Sequence, residues 1–330
     1  MVFLLLLTAF SAFASQTVPG DQRTVLIVVG APGGAEFGSN FVHQATLWQS
    51  ACERAACRSI TIGLEISAQT NDLGLLEQAL AAEDKTTPAE LWLVLIGHGT
   101  FDGKEARFNL RGPDLSASDL ALWLQPFHRP LALINTASSS APFLNKLSAT
   151  NRVIITATRS GHEQNYTRFG QYFAESIANP KADLDKDGQV SLLEAFLMAS
   201  RQVAEFYKAE GRLASEHALL DDNGDGLGTP ADWFRGLRAI KKPKENAAMD
   251  GLLARQFHLI RSDAEAKLTD EQRARRDALE HEVLLYREKK SQLPEDEYYR
   301  ELEKLLLPLA RSYELNSRDA PPSPVPNHAP

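Results

Sequence analysis

Residues 91–99 read Leu-Trp-Leu-Val-Leu-Ile-Gly-His-Gly, and residues 130–141 read Pro-Leu-Ala-Leu-Ile-Asn-Thr-Ala-Ser-Ser-Ser-Ala. Each is an unbroken apolar run of strand length, the pattern of a strand covered on both faces. Each ends in small or polar residues, Gly97-His98-Gly99 in one case and Ala137-Ser138-Ser139-Ser140-Ala141 in the other. In an open parallel sheet the carboxyl ends of the strands form the crevice where ligands bind. A histidine and a serine delivered to that rim are a general base and a candidate nucleophile, the pair that acyl transfer needs. The flanking glycines let backbone approach a ligand closely, and the Gly99 amide is a candidate donor to a developing oxyanion.

Outward from this stretch, strands and helices alternate. Residues 24–29, 59–64, 91–96, 130–134 and 152–157 read as strands, and residues 40–56, 71–82 and 167–178 as helices. A further helix is opened by Ser116 as its N-cap. The alternation predicts an α/β fold with a mainly parallel sheet and helices on both faces. Gly30-Ala31-Pro32-Gly33-Gly34 fits neither the dinucleotide nor the phosphate-loop spacing, and reads as a strand-to-helix turn lining the rim.

A chain of 330 residues with 43% hydrophobic content has room for a large core. Its net charge of −8 argues against a nucleic-acid groove or a basic membrane patch. Residues 2–14 are almost wholly apolar and end in Ala12-Phe13-Ala14, a signal-peptide signature over 1–14; a buried first helix is the alternative. The first reading implies export, periplasmic or secreted. No later stretch is long and apolar enough to be a transmembrane helix. Cys52 and Cys57 fit no metal pattern. On a continuous helix they point apart, so a disulfide requires the helix to end between them, and both alternatives stay open.

From Asp183 the character changes. Asp183-Leu184-Asp185-Lys186-Asp187-Gly188-Gln189-Val190-Ser191-Leu192-Leu193-Glu194 has the twelve-residue pattern of an EF-hand calcium loop. Asp183, Asp185 and Asp187 offer carboxylates at positions 1, 3 and 5, Gly188 permits the turn, Gln189 offers its carbonyl, and Glu194 a bidentate carboxylate. A helix over 192–210 follows. A second loop repeats the pattern more loosely with Asp221, Asn223, Asp225 and Asp232, against a solvated turn as the alternative. Ca2+ is the implied cofactor. After residue 241, Thr269 and Gln272 form a capping box for one helix and Pro294 opens another. The two predict a helical hairpin docked on the sheet domain, with an oligomer-forming coiled coil as the alternative. From Asp319 the Pro-rich end reads as a disordered tail.

Several separated motifs between Thr24 and Tyr172 resemble the caspase-like clan of cysteine peptidases, and most closely the legumain branch. Leu95-Ile96-Gly97-His98-Gly99 resembles the strand that ends in the clan's catalytic His-Gly. Ile134-Asn135-Thr136-Ala137-Ser138-Ser139-Ser140-Ala141 resembles the strand ending in Ala-Cys-x-Ser-Gly, and residues 151–158 the strand that follows. Asn40-Phe41-Val42-His43-Gln44-Ala45 is similar to the legumain Asn-Tyr-Arg-His-Gln-Ala segment. The resemblance implies a caspase-like α/β/α sandwich in which His98 is the base, Asn40 its orienter, Ser138 the nucleophile position, and His43 and Ser139 pocket residues.

The departures decide the activity expected. Ser138 stands where the family has its cysteine, Ser139 replaces the acidic residue after it, and Val42 replaces the pocket arginine. A serine hydroxyl needs a strong, well-oriented base, and a neutral asparagine stabilises an imidazolium less than a carboxylate does. Losing one tuned catalytic element commonly costs a factor of about a thousand or more. The expectation is an exported, catalytically degenerate pseudo-peptidase that binds calcium and, in the former cleft, a peptide or protein partner. The alternatives are an active hydrolase using Ser138, His98 and Asn40, and a calcium-dependent scaffold. The domains expected are a sheet domain over 15–180, a calcium-binding segment over 181–240, a helical module over 241–317 and a tail over 318–330.

Overall fold

The computed structural model describes residues 23–65, 71–244 and 248–317, with side chains to residue 313. The signal-peptide and tail readings fall outside the described residues. The strands are β1 (Thr24–Val29), β2 (Arg58–Ile62), β3 (Leu91–Ile96), β4 (Gly99–Phe101), β5 (Ala106–Phe108), β6 (Leu115–Ser116), β7 (Leu131–Asn135), β8 (Arg152–Thr156), β9 (Leu219–Asp221), β10 (Thr229–Pro230), β11 (Phe234–Arg235) and β12 (Arg238–Ala239). The helices are α1 (Ala35–Arg54), α2 (Asp72–Ala82), α3 (Ala117–Leu124), α4 (Ala141–Leu147), α5 (Phe169–Ser176), α6 (Leu192–Ala209), α7 (Leu252–Gln256), α8 (Asp263–Ala266), α9 (Asp270–Arg287) and α10 (Glu295–Ser317).

The main sheet runs β10-β9-β8-β7-β3-β1-β2. The pairs from β2 to β8 are parallel, and β9 and β10 are added antiparallel. Alternate residues of each buried strand enter opposite cores, because successive side chains on a strand point to opposite faces. Val25, Ile27, Trp92, Val94, Ile134 and Ile155 pack with Trp48 of α1, Phe173 of α5 and Phe196 of α6. Leu26, Val28, Leu93, Leu133 and Ile154 pack with Leu76 of α2, Leu120 of α3 and Phe143 of α4. The parallel sheet with helices on both faces, expected from the alternation of strands and helices, is therefore the observed architecture.

The order also creates a switch point. The chain leaves β1 for β2 on one side and returns to β3 on the other, so the turns after β1 and β3 diverge and leave a crevice between them. The Gly-rich turn and Gly97-His98-Gly99 both sit there.

Several elements differ from the sequence reading. Helix α1 begins at Ala35, five residues before the expected start, because Gly34 is extended at φ −152° and ψ 159° and releases the chain into the helix immediately. The unforeseen α4 has its proline in the first turn, where a missing N–H costs nothing. The sequence reading divides the chain at residue 180, yet the sheet crosses that position: β9 pairs with β8, with Ile155 opposite Leu220. A three-residue strand has too few positions to display alternation, so its sequence carries no signal. The capping box of α9 is present, with Gln272 N donating to Thr269 Oγ1 at 3.2 Å. Helices α9 and α10 pack as a hairpin, their rings stacked at Tyr286 and Tyr298 with centroids 5.5 Å apart. The hairpin docks through Gln256, which donates to the Asp277 carbonyl at 3.1 Å, and through the Arg273 and Arg276 guanidinium groups on Glu265.

Candidate functional site

Strands β3 and β7 are parallel neighbours, and their pairing continues past their ends, where Thr136 N donates to Leu95 O at 3.0 Å. That register sets the two turns side by side. His98 is half-buried against the edges of Phe37 and Phe41 from α1, at 4.9 and 5.1 Å between centroids, with Tyr166 at 6.2 Å. Its Nε2 lies 3.2 Å from the Pro32 carbonyl. A carbonyl only accepts, so this contact places the neutral ring's proton on Nε2 and leaves Nδ1 as the basic nitrogen.

Ser138 is brought to the same rim but does not engage the ring. Its hydroxyl donates to Gly99 O at 3.0 Å and accepts from Gly99 N at 3.1 Å. The serine proton thus rests on a carbonyl, and the amide expected to hold an oxyanion is bonded to the serine. Ser138 is 3% exposed. A Cβ at position 99 would stand 2.2 Å from Ser138 O, so only glycine allows the two turns this close.

The remaining residues separate. Asn40 sits beside Tyr166, and the contact at His98 Nε2 is made by the Pro32 carbonyl. His43 is exposed on α1. Ser139 is buried in a left-handed conformation at φ 54°; its amide donates to Glu163 O at 2.8 Å, while its hydroxyl has no partner. The segment around Glu163 and Tyr166 folds over the rim. Thr167 Oγ1 is bonded to Thr136 O at 2.5 Å, and Glu163 Oε1 meets His217 Nδ1 at 2.5 Å. Sequence reasoning missed Pro32, Glu163 and Tyr166, because a backbone acceptor and a covering loop have no residue pattern of their own.

The first Asp-rich loop converges. Carboxylate oxygens of Asp183, Asp185 and Asp187 lie within 4.8 Å of one another. Asp183 Oδ1 accepts from Lys186 N at 2.6 Å and Oδ2 from Gly188 N at 3.2 Å, with Gly188 at φ 87° making the turn. Glu194 reaches back to the start of the loop, where Oε1 accepts from Leu184 N at 2.7 Å. Its other oxygen accepts from Ser191 N at 2.8 Å, so the residue expected as the last ligand also closes the capping box of α6. Burial pushes the Glu194 carboxyl above the ordinary range, a cost that a nearby cation reverses. Gln189 caps the loop's far side, its amide bonded to Asp187 and its carbonyl oxygen to Ser262 N. The residues present fit a hard cation that takes oxygen ligands.

The second loop is assembled differently. Asn223 Oδ1 accepts from Asp225 N and Asp225 Oδ1 from Leu227 N, each at 2.8 Å, two successive Asx turns. Asp232 is exposed in a 3-10 turn. Among the described residues, Asp221, Asp225 and Asp232 form no convergent group. Asp221 is buried at the end of β9, and its Oδ2 has no partner. The adjacent Asp222 caps α7, accepting from Gly251 N and Ala254 N at 2.8 Å each.

No family model matches the chain, and no curated protein matches it in sequence. Among solved structures, the chain is similar to the Drosophila initiator caspase Dronc, with 14% identity and a TM-score of 0.41 over 68% of this chain and 95% of that one. It is similar to caspase-1 from Spodoptera frugiperda at 7% identity and a TM-score of 0.39, covering 62% of this chain and 87% of that one. A protein of Geobacter sulfurreducens is similar at 10% identity and a TM-score of 0.40, over 60% of this chain and 92% of that one.

Proposed function

We propose that the chain is an exported pseudo-peptidase of the caspase/legumain type, which keeps the rim of the sheet for a peptide or protein partner and holds Ca2+ in the loop 183–194. The observation that carries this reading is the pair of hydrogen bonds between the Ser138 hydroxyl and the Gly99 backbone. One contact occupies the candidate nucleophile and the candidate oxyanion donor together, so neither is free for a substrate carbonyl. The test is labelling by a serine-directed phosphonate. Wild type stays unlabelled under this reading, and labelling that disappears in Ser138→Ala overturns it. Ser138→Cys asks whether the cleft is otherwise intact, because a thiol needs less activation than a hydroxyl. Peptidase activity gained by that variant supports a retained cleft and excludes a passive platform.

A second reading, an active serine hydrolase, draws on the Pro32 carbonyl. By holding the proton on Nε2, it leaves Nδ1 of His98 unprotonated, the state a general base needs. The same phosphonate experiment separates the two readings. For calcium, titration calorimetry of wild type registers a binding event that Asp185→Ala abolishes. Absence of binding at millimolar calcium removes that part of the proposal.

A further inference from the structure

The two cysteines lie at the end of α1 remote from His98. That helix closes in a Schellman turn: Cys57 N donates to Cys52 O at 3.2 Å, Ala56 N donates to Glu53 O at 3.1 Å, and Ala56 is left-handed at φ 48°. The turn folds the second residue past the cap back over the residue three before it, and puts those two side chains in contact. Here that pair is Cys57 and Cys52. Cys57 Sγ lies 3.7 Å from Cys52 O, and both thiols are free. The five-residue spacing that separates them on a continuous helix therefore joins them at a helix end.

We propose that Cys52 and Cys57 form a dithiol–disulfide site, oxidised by exchange with a low-molecular-weight or protein disulfide, with Cys57 as the attacking thiol and Cys52 as the resolving one. Access assigns the roles, since Cys57 is half-buried and Cys52 is 0% exposed. Charge agrees. The Cys52 thiol and the Arg23 guanidinium both favour a thiolate on Cys57, while the neighbouring sulfur and burial push the Cys52 thiol up. Arg23 is fixed there by its bonds to the carbonyls of Ala55, His258 and Leu259.

In the first step the Cys57 thiolate attacks one sulfur of the external disulfide, an S–S bond breaks, and a thiolate leaves. In the second, Cys52 gives its proton to solvent or to that leaving thiolate and attacks the Cys57 sulfur, expelling the second thiol. Two protein thiols are oxidised and one external disulfide is reduced to two thiols.

The experiment treats the native full-length protein with glutathione disulfide, blocks remaining thiols with N-ethylmaleimide and digests with trypsin. Cleavage after Arg54 falls between the cysteines, so the bond joins residues 24–54 to residues 55–58 in a peptide that reduction splits. The linked peptide is expected from native protein. Its absence, or its formation only in urea, overturns the proposal. In Cys52→Ser a glutathione adduct is expected to accumulate on Cys57, and the adduct on Cys52 in Cys57→Ser to form at least about tenfold more slowly. Limiting alkylation of wild type reads the same asymmetry without a substitution. Equal rates at both thiols overturn the roles.

Discussion

The Ser138 hydroxyl is a structural joint between two strand ends, and that has a measurable consequence. Ser138→Ala leaves the Gly99 amide and carbonyl without their partner in a buried setting, which costs about 1–3 kcal/mol of stability by urea denaturation. A loss below a few tenths of a kcal/mol speaks for a hydroxyl that is free to react. His258 supplies the pH dependence. It is buried, its Nδ1 lies 3.2 Å from the Gln256 carbonyl, and burial depresses its pKa to about 4.

 The unfolded chain takes up this proton near pH 6.5 and the folded chain only near 4, so between those values the unfolded state binds more protons. Stability from this group is therefore complete above pH 6.5 and falls as pH drops toward 4. His258→Gln removes that slope: the stability difference between wild type and variant shrinks by about 3 kcal/mol from pH 6.5 to pH 4. A difference that stays constant over that range excludes a neutral buried imidazole. At this scale the sequence was informative about which residues share the rim. The apolar runs of β3 and β7 end in His98 and Ser138, and adjacent strands bring such ends together. What each polar atom bonds to was not legible, because the Pro32 and Gly99 backbone groups belong to every residue type alike.

At the scale of elements, Glu194 serves two patterns at once. It is position 12 of the Asp-rich loop and the third residue of α6, so one carboxylate closes the loop and caps the helix. Ser191→Ala removes the capping hydroxyl and costs about 1 kcal/mol with or without calcium. Asp185→Ala behaves otherwise. Its ion pair with Arg255 is largely solvated, so with chelator present the variant and wild type melt within a degree or two of each other. Calcium at about a hundred times its Kd adds about 2.7 kcal/mol to wild type and nothing to the variant. Equal calcium responses in the two proteins place the cation elsewhere. Long, patterned elements were readable beforehand, as the five parallel strands and α9 with its capping box demonstrate. The short β9, β10 and α7 were not, because tertiary pairing and the Asp222 cap define them more than periodicity does.

At the scale of the molecule, the sheet, the Asp-rich loops and the helical module are interlocked rather than strung in sequence. Arg23, at the entry to β1, bonds the carbonyls of His258 and Leu259 as well as that of Ala55, and so ties the first described strand to the segment after α7. Arg261 pairs with Glu90 at 3.0 Å, next to the start of β3. Arg23→Ala removes the donor to the part-buried Ala55, His258 and Leu259 carbonyls, a loss of about 1–3 kcal/mol. Limited proteolysis checks it through faster cutting between α7 and α9; an unchanged digestion pattern removes the tie. The alternation of strands and helices revealed the layers of the fold, whereas these long-range ties join residues whose separation leaves no local pattern.

The position of β9 bears on synthesis. Strands β1 to β8 emerge from the ribosome first, and the outer edge of β8 stays unpaired until residues 219–221 follow. A nascent chain paused near residue 180 presents that bare apolar edge to its neighbours, the kind of surface on which incomplete chains associate. The Asp-rich segment between them is thus the delay that such a chain has to survive, and its length sets how long the β8 edge stays bare.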